Sequence, residues 1–183
     1  MFSLTLALLA VAASAGAWRQ QPEPRLTSRS CHVSFGYPSG WEVVRDTAES
    51  GATCAFRLRP RDWQRRLAGD DSVDVYSITV RVVARGVWRE AADAGFQRRG
   101  AGWIVLGREG SKQPADTMRG IGWRGVRGTA SAGCYGRSGT YAGLCDQPMA
   151  VAGTAKRSVI LVAGPRGEDV FDRILATLRI SDP

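Results

Sequence analysis

The 183 residues are 44% hydrophobic and 23% charged, the composition of a globular chain and not of a disordered or collagenous one. Twenty-five Lys and Arg against 17 Asp and Glu give a formal charge of +8, and a single His excludes multi-histidine metal enzymes. The length suits one domain with a full hydrophobic core.

Residues 1–17 carry an apolar run from Leu4 to Ala13, broken only by Thr5, followed by Ala15-Gly16-Ala17, an A-x-A cleavage pattern. The run is too short to cross a bilayer, so it reads as an export signal removed after Ala17. No Cys follows closely enough to suggest a lipid anchor, and no other segment reaches 18 consecutive apolar residues. The mature chain is therefore expected in the periplasm or secreted, and not membrane-spanning. Residues 18–30, polar with two prolines, read as an extended leader with no core of its own; residues 31–183 read as a single α+β domain.

Export makes the four cysteines a disulfide framework, Cys31, Cys54, Cys134 and Cys145. Three pairings exist; Cys31–Cys54 with Cys134–Cys145 is favoured. The second pair brackets a Gly-rich hairpin, and a two-residue turn at Gly139-Thr140 would set its cysteines directly opposite each other. No C-x-x-C motif supports zinc or redox chemistry.

Cys31, Val33 and Phe35 alternate with His32, Ser34 and Gly36, the period of a half-buried strand that leaves His32 outward. Tyr37-Pro38-Ser39-Gly40 is turn chemistry, and Trp41–Val44 and Thr53–Leu58 resume strands. Arg61–Leu67 reads as a helical turn. Asp74–Ala84 is the clearest strand, with Tyr76, Ile78, Val80 and Val82 on one face. Val87–Arg99 reads as one helix, its stripe running through Val87/Trp88, Ala91/Ala92 and Gly95/Phe96. Trp103–Leu106, Met118–Arg127 and Gly133–Leu144 are β-like. Ser158–Ala163, nearly all apolar, belongs inside a sheet, and Glu168–Leu178 closes the chain as a helix. Strands and helices do not alternate regularly, so the fold class is α+β, a mostly antiparallel sheet carrying helices. One core is expected to join Tyr76, Ile78, Val80, Val82, Val159, Leu161, Phe171, Ile174 and Leu175.

No catalytic constellation stands out. Gly120-Ile121-Gly122-Trp123-Arg124-Gly125 fits G-x-G-x-x-G, but no helix-forming residues follow to hold a pyrophosphate; the segment reads as a Gly-rich strand with Ile121 and Trp123 packed to one side. Asp70, Asp71 and Asp74 lack calcium-loop spacing. His32 has no nucleophile motif beside it. No cofactor and no metal is expected. The charge is concentrated instead: Arg98, Arg99, Arg108, Lys112, Arg119, Arg124, Arg127 and Arg137 face only Glu109 and Asp116 over that stretch. Such a stretch suits an anionic envelope component or an acidic protein, with Trp103 and Trp123 interleaved. Nucleic acid ranks low for an exported chain. The competing explanation is compositional, because Arg outnumbers Lys 23 to 2 and outward arginines then serve solubility.

Phe35-Gly36-Tyr37-Pro38-Ser39-Gly40-Trp41 resembles the opening of the PsbP-like superfamily, and Phe171-Asp172-Arg173-Ile174-Leu175-Ala176-Thr177-Leu178-Arg179-Ile180 is similar to its closing helix and exit. The resemblance implies an antiparallel sheet sandwiched by helices (α/β/α) and a mostly non-enzymatic role, as in photosystem extrinsic subunits, a Ran-binding branch and exported bacterial members. The cysteines match no pattern of that family, and Tyr37, Pro38, Gly40 and Trp41 read as fold-making. The expected function is an exported, non-catalytic module that binds an envelope component or partner protein. The alternatives are an exported hydrolase with an unrecognised site, and a secreted inhibitor or toxin-like effector presenting the Cys134–Cys145 hairpin.

Overall fold

A computed structural model describes residues 23–46, 51–66, 75–107, 110–136, 138 and 140–182. Residues 1–17, expected to be an export signal, residues 18–22, the acidic positions Asp70, Asp71 and Asp74, and Arg108 and Arg137 lie outside them.

The leader is not a featureless tail. Strand β1 (Arg25–Ser28) pairs antiparallel with β2 (Val33–Gly36), setting Leu26 opposite Phe35. Leu26 packs against the main core, so the alternation of this short polar segment is used after all. His32 is a correction. It lies in the tight turn before β2 with φ +55°, its amide bonded to the Arg29 carbonyl at 3.2 Å and its carbonyl accepting from the Ser181 amide at 3.0 Å. Closing that turn demands the left-handed region, and alternation carries no record of it. The far edge of β2 is taken by β12 (Arg179–Ile180).

The other nine strands among the described residues form one sheet in which every neighbouring pair is antiparallel. Its order is β3 (Trp41–Asp46), β4 (Cys54–Pro60), β5 (Ile78–Val83), β11 (Ser158–Ala163), β10 (Tyr141–Gly153), β9 (Trp123–Tyr135), β8 (Lys112–Gly120), β7 (Gly102–Leu106) and β6 (Phe96–Arg99). The expected interior place of Ser158–Ala163 is realised between β5 and β10. Among the described residues there are also three helices: α1 (Trp63–Arg66), α2 (Val87–Asp93) and α3 (Glu168–Thr177).

Two helix and strand boundaries differ from expectation. The helix expected over Val87–Arg99 stops at Asp93, because Gly95 takes φ +90° and its amide caps the Ala92 carbonyl at 3.0 Å. Phe96 remains buried, but as the first residue of β6. The segment Met118–Arg127 is two strands, joined by a two-residue turn at Ile121-Gly122 with Gly122 at φ +79°. Ile121 sits on that turn, 72% exposed, and does not pack beside the buried Trp123.

Alternation along the strands splits the apolar residues between two cores. Val159, Leu161 and Ala163 of β11 join Ile78, Val80, Val82, Phe171, Ile174 and Leu175 in one, with the three-stranded sheet and α3. Ile160 joins Val87, Ala91, Phe96, Val105, Val126 and Val151 in the other, with α2. Tyr76 is the one expected member missing from the first core. It precedes β5, half-buried, and donates its hydroxyl to the Arg66 carbonyl at 3.0 Å.

The sheets are tied together by side chains as well as packing. The Trp123 indole donates to the Leu178 carbonyl at 2.9 Å, and the Thr177 hydroxyl accepts from the Gly36 amide at 2.8 Å. Both expected disulfides are present. Cys31–Cys54, buried, joins the β2 side to β4 with Cα atoms 6.0 Å apart; Cys134–Cys145 cross-links β9 and β10 with Cα atoms 5.7 Å apart.

Candidate functional site

The register of β6 to β9 decides where the arginines point. Arg119 lies directly opposite Arg124, and Arg98 opposite Trp103. Residues opposite or two apart share a face, so Arg98, Arg119 and Arg124 emerge on the α2 side. Arg99 and Arg127, one residue out of phase, emerge on the α3 side. The expected basic set is thus divided between two faces. On the α3 side Arg127 pairs with Asp172 at 2.9 Å and lies over the Phe171 ring at 5.8 Å, so its charge is already met.

On the α2 side Arg98 and Arg124 flank an indole pair, and Arg119 lies beside Arg124. Trp88 of α2 stacks on Trp103 of β7, with centroids 5.3 Å apart and planes 21° apart, and the Arg124 guanidinium lies 5.6 Å from the Trp88 ring. Arg98 stands opposite Trp103, Trp88 stacks on Trp103, Arg124 lies over Trp88 and Arg119 faces Arg124; with three strand spacings across and four residues along the strands, this row runs diagonally for roughly 20 Å. Among the described residues no carboxylate pairs with Arg98, Arg119 or Arg124, whereas Glu90 and Asp93 of α2 are both engaged by Arg85. Two like charges directly opposite on a hairpin destabilise it slightly, so Arg119 and Arg124 are not explained by strand pairing. A shallow cavity of about 370 Å³ lies between these two arginines, against Gly120, Gly122 and Thr154. The Thr154 hydroxyl is taken up by Asp182 at 2.6 Å.

A second feature is built by the β9–β10 ribbon. β8 pairs with β9 only as far as Gly128, and β11 pairs with β10 only as far as Met149, so both strands continue beyond the sheet as a two-stranded arm. The arm's register corrects the expected hairpin. Cys134 faces Gly143, Cys145 faces Ala132, and the disulfide runs diagonally; the chain turns earlier than expected, pairing Tyr135 with Tyr141, and this displaces the cysteines from direct opposition, while a bulge between Tyr141 and Gly143, with Gly143 at φ +115°, recovers one residue of the offset. The loop closes through the Gly136 amide and the Thr140 carbonyl at 2.8 Å. Tyr135 and Tyr141 meet edge to face at 5.9 Å near the tip, and both, like Leu144, are about half exposed. Beneath the arm lies a concavity of about 480 Å³, floored by Arg57, Thr79 and Val162 and walled by the Cys134–Cys145 bridge. Sequence periodicity places Arg57 opposite in phase to Phe56 and Leu58, but nothing local ties it to Gln147 on the arm, which also lines the concavity.

The remaining motifs resolve simply. G-x-G-x-x-G is the β8–β9 hairpin, with no helix N-terminus for a phosphate. His32 lies in its turn. Asp62 lies on the surface outside both cavities, and the hydrogen bond it accepts from Arg66 at 2.7 Å holds its carboxyl below the usual range. Among the described residues no group of three His, Cys, Asp or Glu is placed to hold a metal, and no helix is long and apolar enough to cross a membrane.

No family model matches the sequence, and no curated protein matches it. Among solved structures the chain is similar to cyanobacterial PsbP (CyanoP) from Synechocystis sp. PCC 6803, with a TM-score of 0.50 and 13% identity, covering 94% of this chain and 99% of that one. It is also similar to a protein of Bacteroides thetaiotaomicron VPI-5482, with a TM-score of 0.42 and 11% identity, covering 88% of this chain and half the length of that one. The CyanoP likeness is one of fold: the chain has a PsbP-like fold, dominated by antiparallel sheet with a few helices.

Proposed function

We propose that the protein is an exported, non-catalytic module that binds an anionic component of the cell envelope through Arg98, Arg119 and Arg124. The observation that carries this reading is the placement of three cations, with no carboxylate partner among the described residues, along one face beside the Trp88–Trp103 stack. Guanidinium groups suit phosphate, sulfate and carboxylate alike, because their planar fork offers paired donors. The cations are spread along the sheet and do not converge in a deep pocket, which favours a repeating polyanion over one compact acidic epitope. The A-x-A segment and the two disulfides support a location outside the cytoplasm, periplasmic or secreted. The two separate cores, one under α2 and one under α3, support an α/β/α layering in which the patch occupies the α2 layer. A hydrolytic reading would need a base beside the hydroxyls of Ser77, Thr79 and Tyr135, and among the described residues lining that concavity there is neither carboxylate nor imidazole.

The test is binding to dextran sulfate and, separately, to phosphatidylglycerol vesicles. Binding at low salt should fall steeply as ionic strength rises, since exposed charges are screened beyond about 8 Å at physiological salt. Arg98→Ser/Arg119→Ser/Arg124→Ser should weaken it at least tenfold more than the charge-matched set Arg61→Ser/Arg65→Ser/Arg179→Ser. Equal losses would reduce the effect to net charge and overturn the patch, as would no binding to either probe. The arm that responds tells a polysaccharide from a headgroup layer.

A further inference from the structure

We infer that the concavity beneath the β9–β10 arm is a second binding site, one that takes an uncharged small molecule with an apolar body and a single hydrogen-bonding head. It is separate from the cationic patch and does not rest on it.

Two prolines open the site. Where β10 turns into β11 the Thr154 amide bonds the Arg157 carbonyl at 2.8 Å, and backbone direction alternates along a strand, so the even-numbered residues of β10 aim their backbone groups at β11. After Ala150 the next of that phase is Pro148, which has no amide hydrogen to give. On the other side the Gly164 amide bonds the Ser77 carbonyl at 2.8 Å, so even residues there turn to β5 and odd ones to β10. Ala163 is followed in the odd phase by Pro165, which lacks an amide hydrogen too. The ladder ends at the Met149–Val162 pair and the sheet forks. Beyond it β10 stays with β9, while the chain leaving β11 stays beside the segment before β5, the Arg166 amide bonding the Val75 carbonyl at 2.9 Å. The two branches leave the 480 Å³ space between them. That volume falls within the few hundred to a thousand Å³ typical of small-molecule pockets. The wall on the arm side is fixed in place by the Cys134–Cys145 bridge, and a preformed wall lowers the ordering cost of binding.

Register sets the floor. Arg57, Thr79 and Val162 stand opposite one another in turn across β4, β5 and β11; Val162 faces Met149, and Gln147 lies two residues along from it, so all share the α2-side face. The patch occupies the far end of that face, on β6 to β9. Val75, Val162, Pro165 and the disulfide present apolar surface. Arg57 is the only charged side chain among the described lining residues. Asp46 pairs with it at 3.3 Å and its Nε is enclosed, so its charge is met within the protein. A charged ligand of either sign would shed its water in the concavity and find no opposite charge left to replace it. Hydrogen bonding comes instead from the Thr79 hydroxyl and the Gln147 carboxamide, neither of them bonded through its side chain to another described residue. Each both donates and accepts, which suits a hydroxyl or carbonyl oxygen on the ligand.

The experiment titrates the folded, oxidised protein by calorimetry, at physiological ionic strength, with octan-1-ol, octanoate and octyltrimethylammonium, each below its solubility or micelle limit. Octan-1-ol is expected to bind saturably at one site, and both charged homologues at least tenfold more weakly. Ala142→Trp should abolish octan-1-ol binding, because Ala142 is exposed on the arm and lines the concavity, so an indole there fills the mouth without entering a core. Thr79→Val/Gln147→Leu, which keeps the shape and removes the polar groups, should weaken it at least fivefold. Arg119→Ser/Arg124→Ser should leave it unchanged, which separates this site from the patch. Absence of saturable octan-1-ol binding overturns the inference. So does a charged homologue that binds as tightly as the alcohol, and so does binding that persists undiminished in either Ala142→Trp or Thr79→Val/Gln147→Leu.

Discussion

Removing each disulfide in turn tests whether loop length or burial governs what a bridge contributes here. Cys134–Cys145 spans a sequence separation of 11 and Cys31–Cys54 one of 23. The chain-entropy model assigns about 3 kcal/mol to the shorter loop, and doubling the loop adds only about 0.6 kcal/mol. On entropy alone the two bridges are nearly equivalent. Their surroundings differ. Cys31 and Cys54 are buried in the main core, where Cys31 is fully enclosed and neighbours Val33 and Phe35, so their removal also forfeits packing. Cys134 and Cys145 lie half-buried on an arm that extends past β8 and β11, so without its bridge the arm frays locally while the sheet persists. Urea denaturation of Cys31→Ala/Cys54→Ala and Cys134→Ala/Cys145→Ala, read by tryptophan fluorescence, measures both. The expected losses are above about 4 kcal/mol for the core pair and about 3 kcal/mol or less for the arm pair. If the arm pair costs as much as the core pair, the reasoning fails, because the arm would then have to belong to the cooperative unit.

Phe171→Ala should cost about 3–5 kcal/mol, because the ring is fully buried and its loss also strips the surface beneath Arg127; on a chain of this size that is a melting shift of roughly 6–20 °C by calorimetry, and a shift of a degree or two would refute the core assignment. Gly125→Ala should prevent folding to a native near-ultraviolet dichroism spectrum, because a Cβ there would overlap the Val151 carbonyl across the β9–β10 ladder; a well-folded variant would show that the ladder opens more freely than drawn. Thr177→Val should lose about 1–3 kcal/mol in urea titration by orphaning the Gly36 amide, and no loss would mean water replaces the hydroxyl.

Much of the fold was legible locally. The alternation in Val33–Phe35, Ile78–Val82 and Ser158–Ala163, the Pro38–Gly40 turn and the stripe of Val170, Phe171, Ile174 and Leu175 each express a period that depends only on neighbouring residues. The two disulfides followed from short loops between cysteines already close in the chain. What escaped was decided by pairing partners far apart. Gly95 ends a helix whose apolar stripe continues in phase, so only the bond from the Leu106 amide to the Gly95 carbonyl, 2.9 Å, reveals that Phe96 begins a strand. Arg124 and Arg127 sit three residues apart on one strand and therefore on opposite faces, a division that pattern reading cannot use until β9 is known to be a strand at both positions. The concavity draws on Arg57, Thr79, Cys134, Gln147 and Val162, which five different strands contribute. Sequence determined which faces of each element are apolar, because side-chain periodicity is a local property of the backbone. Tertiary structure decided where the sheet forks and which cations share a face, because register between distant strands is set by the packing of both cores at once.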